Sequence, residues 1–112
     1  MEVSATTKYI HMSQRKVKLV ADAVRGMPVQ AALNALRLMP QRAAIAVAKT
    51  IKSAAANAEN NRNLSPEDLY VARITADKGP TAKRFRAQAR GRPAPLLKRS
   101  SHITVTVDEK GE

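Results

Sequence analysis

Cysteine is absent from this chain. No disulfide framework and no thiolate metal site can form, which suits a reducing interior. Long apolar runs are missing too. The first fifteen residues, MEVSATTKYIHMSQR, contain nothing like a secretory core, and the alanine-rich stretch is broken by Lys49 and Lys52. Neither a targeting signal nor a membrane span is expected. Carboxylates are few, nine against twenty lysines and arginines, and they are scattered. There is no glycine-rich phosphate loop before a lysine, no paired-histidine metal spacing and no nucleophile elbow. The two histidines, His11 and His102, lie beside predicted strands without an obvious cysteine or carboxylate partner nearby. They read as structural or RNA-facing residues in preference to catalytic ones, so no enzyme, no metal and no cofactor is expected.

Positive charge is what the chain has in excess. Between Lys78 and Arg99 stand eight cations, Lys78, Lys83, Arg84, Arg86, Arg90, Arg92, Lys98 and Arg99, without one carboxylate in twenty-two residues. The other ninety residues share only +3 of the formal +11. Such a block cannot enter a core, because a desolvated, unpaired cation costs several kcal/mol or more; it requires a polyanion. Pro80, Pro93 and Pro95 argue against one continuous helix, and with it against a membrane-surface helix, which needs a wide apolar face. Arginine outnumbers lysine five to three in the block, and the planar guanidinium suits bidentate phosphate contact and base stacking.

The rest of the chain reads as one small globular domain. Residues 3 to 10, VSATTKYI, are β-branched and half polar, which predicts a short strand. Ser13 fits an N-cap, and Val17, Val20 and Val24 follow at helical spacing until Gly26 stops a first helix over about 14–25. Pro28 suits the first turn of a second helix with Val29, Ala32, Leu33 and Leu36 on one stripe, ended by Pro40. From Arg42 to about Asn60, the stripe Ala44, Val47, Ala48, Ile51, Ala55 and Ala58 predicts the longest helix, roughly 28 Å. After a turn, LYVARITA (69–76) predicts a strand with Tyr70, Ala72, Ile74 and Ala76 on one face and Leu69, Val71 and Arg73 on the other. HITVTV (102–107) predicts another, with Ile103, Val105 and Val107 inward. These last two are natural hairpin partners, and the basic block at about 78–100 is then their connection, far longer than the usual two to five residues. Two arms of about eleven residues reach on the order of 35 Å. A two-stranded ribbon without a core is marginal alone, so its partner supplies the order.

Arg15, Lys16 and Lys18 on the first helix are either its solvated face or phosphate contacts; a phosphate near the helix N-terminus is favourable. Asp22 is expected to pair with a cation such as Lys18 one turn earlier, and Arg25 to support the helix C-terminus. Phe85 either stacks on a base or packs under the hairpin. Three helices and a basic arm also describe a helix-turn-helix DNA-binding regulator, but the second and third helices lack an exposed stripe of Arg, Asn and Gln. An extended arm fits folded RNA better, where shape and phosphate position are read.

Several segments resemble the bacterial large-subunit ribosomal protein twenty-two family over essentially the whole chain. SQRKVKLVADAVRG (13–26) is similar to its first-helix motif, SAAANAENN (53–61) to the end of its long helix, DKGP (77–80) to the approach to its hairpin, and GRPAPLLKRSSHITVTV (91–107) to its most specific stretch. The resemblance implies an α+β fold of three helices on a three-stranded antiparallel sheet with a long protruding β-hairpin. It implies a cytoplasmic, ribosomal structural protein that binds large-subunit (23S) rRNA and supports assembly, with neighbouring large-subunit ribosomal proteins around it. The hairpin tip, Arg86, Ala87, Gln88, Ala89, Arg90, Gly91 and Arg92, is then implied to line the exit tunnel and meet the nascent polypeptide.

Overall fold

Strict alternation near the C-terminus makes the central strand. In the computed structural model, which describes residues 2–79, 82–87, 93–98 and 100–109, with the strands at 82–87 and 93–98 described by backbone alone, β1 (Val3–Ile10), β5 (Ser101–Glu109) and β2 (Leu69–Lys78) form an antiparallel sheet in the order β1-β5-β2. Ile103, Val105 and Val107 are fully buried. The opposite face is half wet, and there the Thr6 and Thr104 hydroxyls lie 3.3 Å apart. Three helices cover the inner face: α1 (Gln14–Val24), α2 (Val29–Leu38) and α3 (Ala43–Arg62). This is the expected α+β architecture.

Two faces expected for β2 are corrected by a bulge. The register passes from Val71↔Val107 to Arg73↔Thr106, so Ala72 is the extra residue. A bulge reverses the alternation beyond it. Leu69 and Val71 therefore point inward before it and Ile74 and Ala76 after it, whereas Tyr70 and Ala72 are only half-buried.

Helix boundaries follow backbone chemistry. Gly26 has φ of +83°, the left-handed conformation that glycine adopts without strain, and it closes α1. Ser13 occupies the N-cap position of α1, but its side chain makes no capping bond. Pro28 precedes α2, and α2 stops at Leu38, ahead of Pro40. The third helix runs two residues past the expected Asn60, because Asn63 takes the left-handed conformation (φ 55°) and donates its N–H to Ala58.

Packing centres on α3, which buries Ala43, Ala44, Val47, Thr50, Ile51, Ala54 and Ala58. Alanines at 44, 54 and 58 keep this face thin and let the helix lie close to its neighbours. Thr50 donates its hydroxyl to the Ala46 carbonyl (2.9 Å), which leaves the Thr7 hydroxyl to donate to Thr50 Oγ1 at 2.8 Å. That pair fixes α3 against β1 inside the core.

The outer edge of β2 is occupied. Gly26 N–H donates to Val71 C=O and Val71 N–H to Met27 C=O, each at 2.9 Å. Gln14 Nε2 reaches the Ala76 carbonyl (2.6 Å) and Arg25 the Ile74 carbonyl (2.8 Å). The edge groups so paired are those a lone strand would leave to solvent.

Core truncation and core overfilling should both register. Ile51→Ala is expected to cost about 2–5 kcal/mol and Ala54→Leu about 1–3 kcal/mol, read as shifts in urea unfolding midpoint. A loss below about 0.5 kcal/mol in both would contradict the close α3 contact.

Candidate nucleic-acid interface

Beyond the core the β2–β5 ladder does not stop. After Lys78↔Ser101, Gly79 N–H donates to Ser100 C=O at 3.0 Å. Two further strands, β3 (Ala82–Ala87) and β4 (Pro93–Lys98), then pair antiparallel from Ala82↔Lys98 to Ala87↔Pro93. Between the Gly79/Ser100 contact and the Ala82↔Lys98 pair the register advances by one residue. Pro93 and Pro95 cannot donate to a ladder, and a two-stranded ribbon, all edge, tolerates them. The radius of gyration is 17.1 Å, against about 13 Å for a compact chain of this length. The longest dimension is 66 Å, the others 26 and 17 Å. The basic block is thus carried on an extension whose root is a continuation of the core sheet.

The root itself is tight. A Cβ on Gly79 would stand 2.6 Å from Ser100 Oγ, 3.1 Å from His102 Cε1 and 3.3 Å from the Ser100 carbonyl carbon. Opposite, β1 carries a bulge between Thr7 and Ile10 where Tyr9 takes φ of 59°. The Tyr9 N–H, turned out of the ladder, donates to His102 Nδ1 at 3.0 Å, and the two rings meet edge to face at 5.0 Å. His102 is accordingly a structural residue of the root, as its sequence context suggested. His11 is exposed.

Of the predicted contact residues, Arg15, Lys16 and Lys18 are exposed on α1 and form no ion pair with any described residue. Lys78 is exposed at the last core pair of β2. Lys83, Arg84, Arg86 and Ala87 fall in β3 and Lys98 in β4, while Gln88, Ala89, Arg90, Gly91, Arg92 and Arg99 lie outside the described residues. One pairing is corrected: Asp22 binds Arg25 at 2.6 Å and not Lys18. Arg25 is drawn there because the same guanidinium also holds the Ile74 carbonyl. Lys18 is thereby left uncompensated.

The elements sort charge by end. Gln14 bonds to Ala76, Thr50 to Thr7 and Asn57 to Ser4, so α1 and α3 both begin at the ribbon root and run away from it. Lys16 and Arg42 line one open hollow there together with His11 and Met12. The opposite end collects Glu67, Asp68, Asp108 and Glu109, together with Glu2, which pairs with Arg73. Asp77 is the acid near the root. Arg42 and Lys49 were not anticipated as part of this surface. Their signal was present as Arg42, Ile45, Lys49 and Lys52 at i, i+3, i+7 and i+10, the face complementary to the apolar stripe. Among the described residues no group of three or more His, Cys, Asp or Glu could hold a metal ion, and no helix is long and apolar enough to cross a membrane.

Comparison with known proteins gives a consistent result. The family model for ribosomal protein L22p/L17e matches residues 5–108. The chain is 53% identical over 109 residues to the large ribosomal subunit protein uL22 of Desulfatibacillum aliphaticivorans, covering 97% of this chain and 100% of that one. It is 51% identical over 112 residues to the protein of the same name from Chloroflexus aggregans, covering 100% and 99%. With that of Clostridium novyi the identity is 49% over 110 residues, covering 98% and 99%.

The crowding at Gly79 yields a direct test. Gly79→Ala should destabilise the protein by about 1–3 kcal/mol and speed amide exchange at residue 79, whose N–H bonds to Ser100. Unchanged exchange there would show that the root has room to spare.

Proposed function

Since this chain belongs to the ribosomal protein L22p/L17e family, we propose that the basic ribbon and the cations at its root are the surface that grips large-subunit ribosomal RNA. The protein is a constituent of the large ribosomal subunit, an rRNA-binding component of the translation machinery whose place is the ribosome in the cytoplasm. Its family is one of ribosomal structural proteins and not of enzymes.

The observation that carries the contact assignment is that the paired core strands β2 and β5 lead into a second strand pair, β3 and β4, in a segment whose sequence holds cations and no acid. Anchored strands deliver those charges at a distance from the globule, where they neutralise phosphates that no core residue could reach. The first-helix cations Arg15, Lys16 and Lys18, together with Lys78, extend the contact onto the globule. In this reading the ribbon passes inward between RNA helices, and the small residues Ala87, Ala89 and Gly91 let its tip at 86–92 line the nascent-peptide exit tunnel. The globule supports subunit assembly and meets neighbouring ribosomal proteins. A helix-turn-helix DNA regulator is not favoured: α3 buries seven residues in the core and is not free to enter a groove.

Replacing Arg84, Arg86, Arg90 and Arg92 by alanine should lower the salt dependence of rRNA binding, d log K/d log[salt], by about 3 in magnitude, at 0.7–0.9 per lost phosphate contact. The helical circular dichroism should be retained. Unchanged affinity would count against the ribbon as the gripping surface. For the tunnel, a photocrosslinker at position 89 of assembled, stalled ribosomes should label the nascent chain, and labelling of rRNA alone would remove that part of the reading.

A further inference from the structure

At the ribbon root a single imidazole touches all three strands of the core sheet. Between the pairs Thr7↔Ile103 and Ile10↔Ser101, Lys8 and Tyr9 of β1 together oppose His102 of β5. On its other flank His102 pairs with Asp77 of β2. Tyr9 is held at φ of 59°, a left-handed conformation that strains a bulky residue and persists only where the surroundings enforce it. The His102 ring does so, because its Nδ1 accepts the Tyr9 N–H at 3.0 Å and the two rings meet edge to face. Gly79 backs the same ring, since a Cβ there would stand 3.1 Å from His102 Cε1.

The direction of this hydrogen bond is fixed. A backbone amide only donates, so Nδ1 must keep its lone pair, and the imidazole is neutral with its hydrogen on Nε2. An imidazolium donates from both nitrogens and would set one N–H against the other. Asp77 offers the charged ring a different partner. Ala76 and Ile103 are buried on the inner face, so their neighbours Asp77 and His102 stand on the outer one, and directly opposed residues of antiparallel strands have Cβ atoms about 4.5–5.5 Å apart. Lys8 is the charged group that opposes His102 from β1. Lys78, paired with the buried Ser101, alternates to the helix side, where His11 lines a hollow with Met12 and Lys16. We propose that His102 is a proton-operated latch: neutral, it holds the β1 bulge at Tyr9, and charged, it releases Tyr9 and turns to Asp77. The proton binds only the released form, so acid drives release by mass action. Release frees the bulged end of β1 and leaves the β2–β5 pair in place. The device does not depend on what the ribbon binds.

The test follows the full chain by NMR between about pH 8 and about pH 5, the window in which histidines change charge. At the upper limit His102 should carry its hydrogen on Nε2. Protection of the Tyr9 amide against exchange, taken relative to its intrinsic rate at each pH, should fall about tenfold per pH unit once the released imidazole is charged, while Val105 keeps its protection. His102→Asn places an amide oxygen near the site of Nδ1, an acceptor that does not titrate, and should keep Tyr9 protected at both limits. Asp77→Asn removes the second partner and should move release to lower pH; an unmoved transition would overturn the turn toward Asp77. His11→Asn should leave the response intact, and its abolition there would assign the effect to the wrong imidazole and refute the latch. Equal Tyr9 protection at both limits would overturn the proposal, as would a loss that persists in His102→Asn. If that variant does not fold, the unaltered chain decides alone: proton uptake at Nδ1 and loss of Tyr9 protection must share one midpoint, and separate midpoints refute the latch.

Discussion

Desolvation is the constraint from which the rest of the architecture follows. Eight cations in twenty-two residues have no place in an interior where an unpaired charge costs several kcal/mol, so the segment that bears them must leave the globule and return. Departure and return are made by β2 and β5, the strands whose apolar residues are most completely buried. The strand pair that anchors the core leads directly into the segment that bears the charge. Loosening the β2–β5 pair would cost core packing, so the root of the extension is fixed by the same burial that folds the domain.

A second consequence is electrical polarity. α1, α3 and β1 all present their root-side ends where the ribbon departs. The helix N-termini there carry partial positive charge, of the same sign as Lys16, Arg42 and Lys78. Acids lie mostly at the opposite end, beside Leu69 and Glu109. Charge sorted this way gives the two ends of the globule fields of opposite sign, felt over about a Debye length, ~8–10 Å in physiological salt.

Much of this was legible in the chain because its periodic signals were clean. HITVTV alternates without interruption and forms a strand with Ile103, Val105 and Val107 inward as read, and the Val17, Val20 and Val24 stripe gives α1. LYVARITA misled on which residues face inward, since a one-residue bulge at Ala72 reverses the pattern and leaves no mark in residue type. The end of α3 was read two residues early because Asn60 and Asn61 resemble a turn, while the residue that takes the left-handed cap is Asn63. Asp22 was assigned to Lys18 by helical spacing alone, and the competing attraction of a carbonyl on β2 for Arg25 is a tertiary fact. The cations Arg42 and Lys49 were overlooked for a similar reason. Their significance depends on Lys16 arriving from another helix.

The occupied edge of β2 bears on the life of the protein before its RNA partner is met. An unpaired strand edge is a template for joining other chains into larger sheets, and β2 has its edge filled by Gly26, Met27, Gln14 and Arg25. The remaining outer strand, β1, is interrupted by the bulge at Tyr9 and bears Lys8, two devices that discourage sheet extension. Within the core sheet, neither outer edge is thereby left as a continuous template for a second copy of the chain.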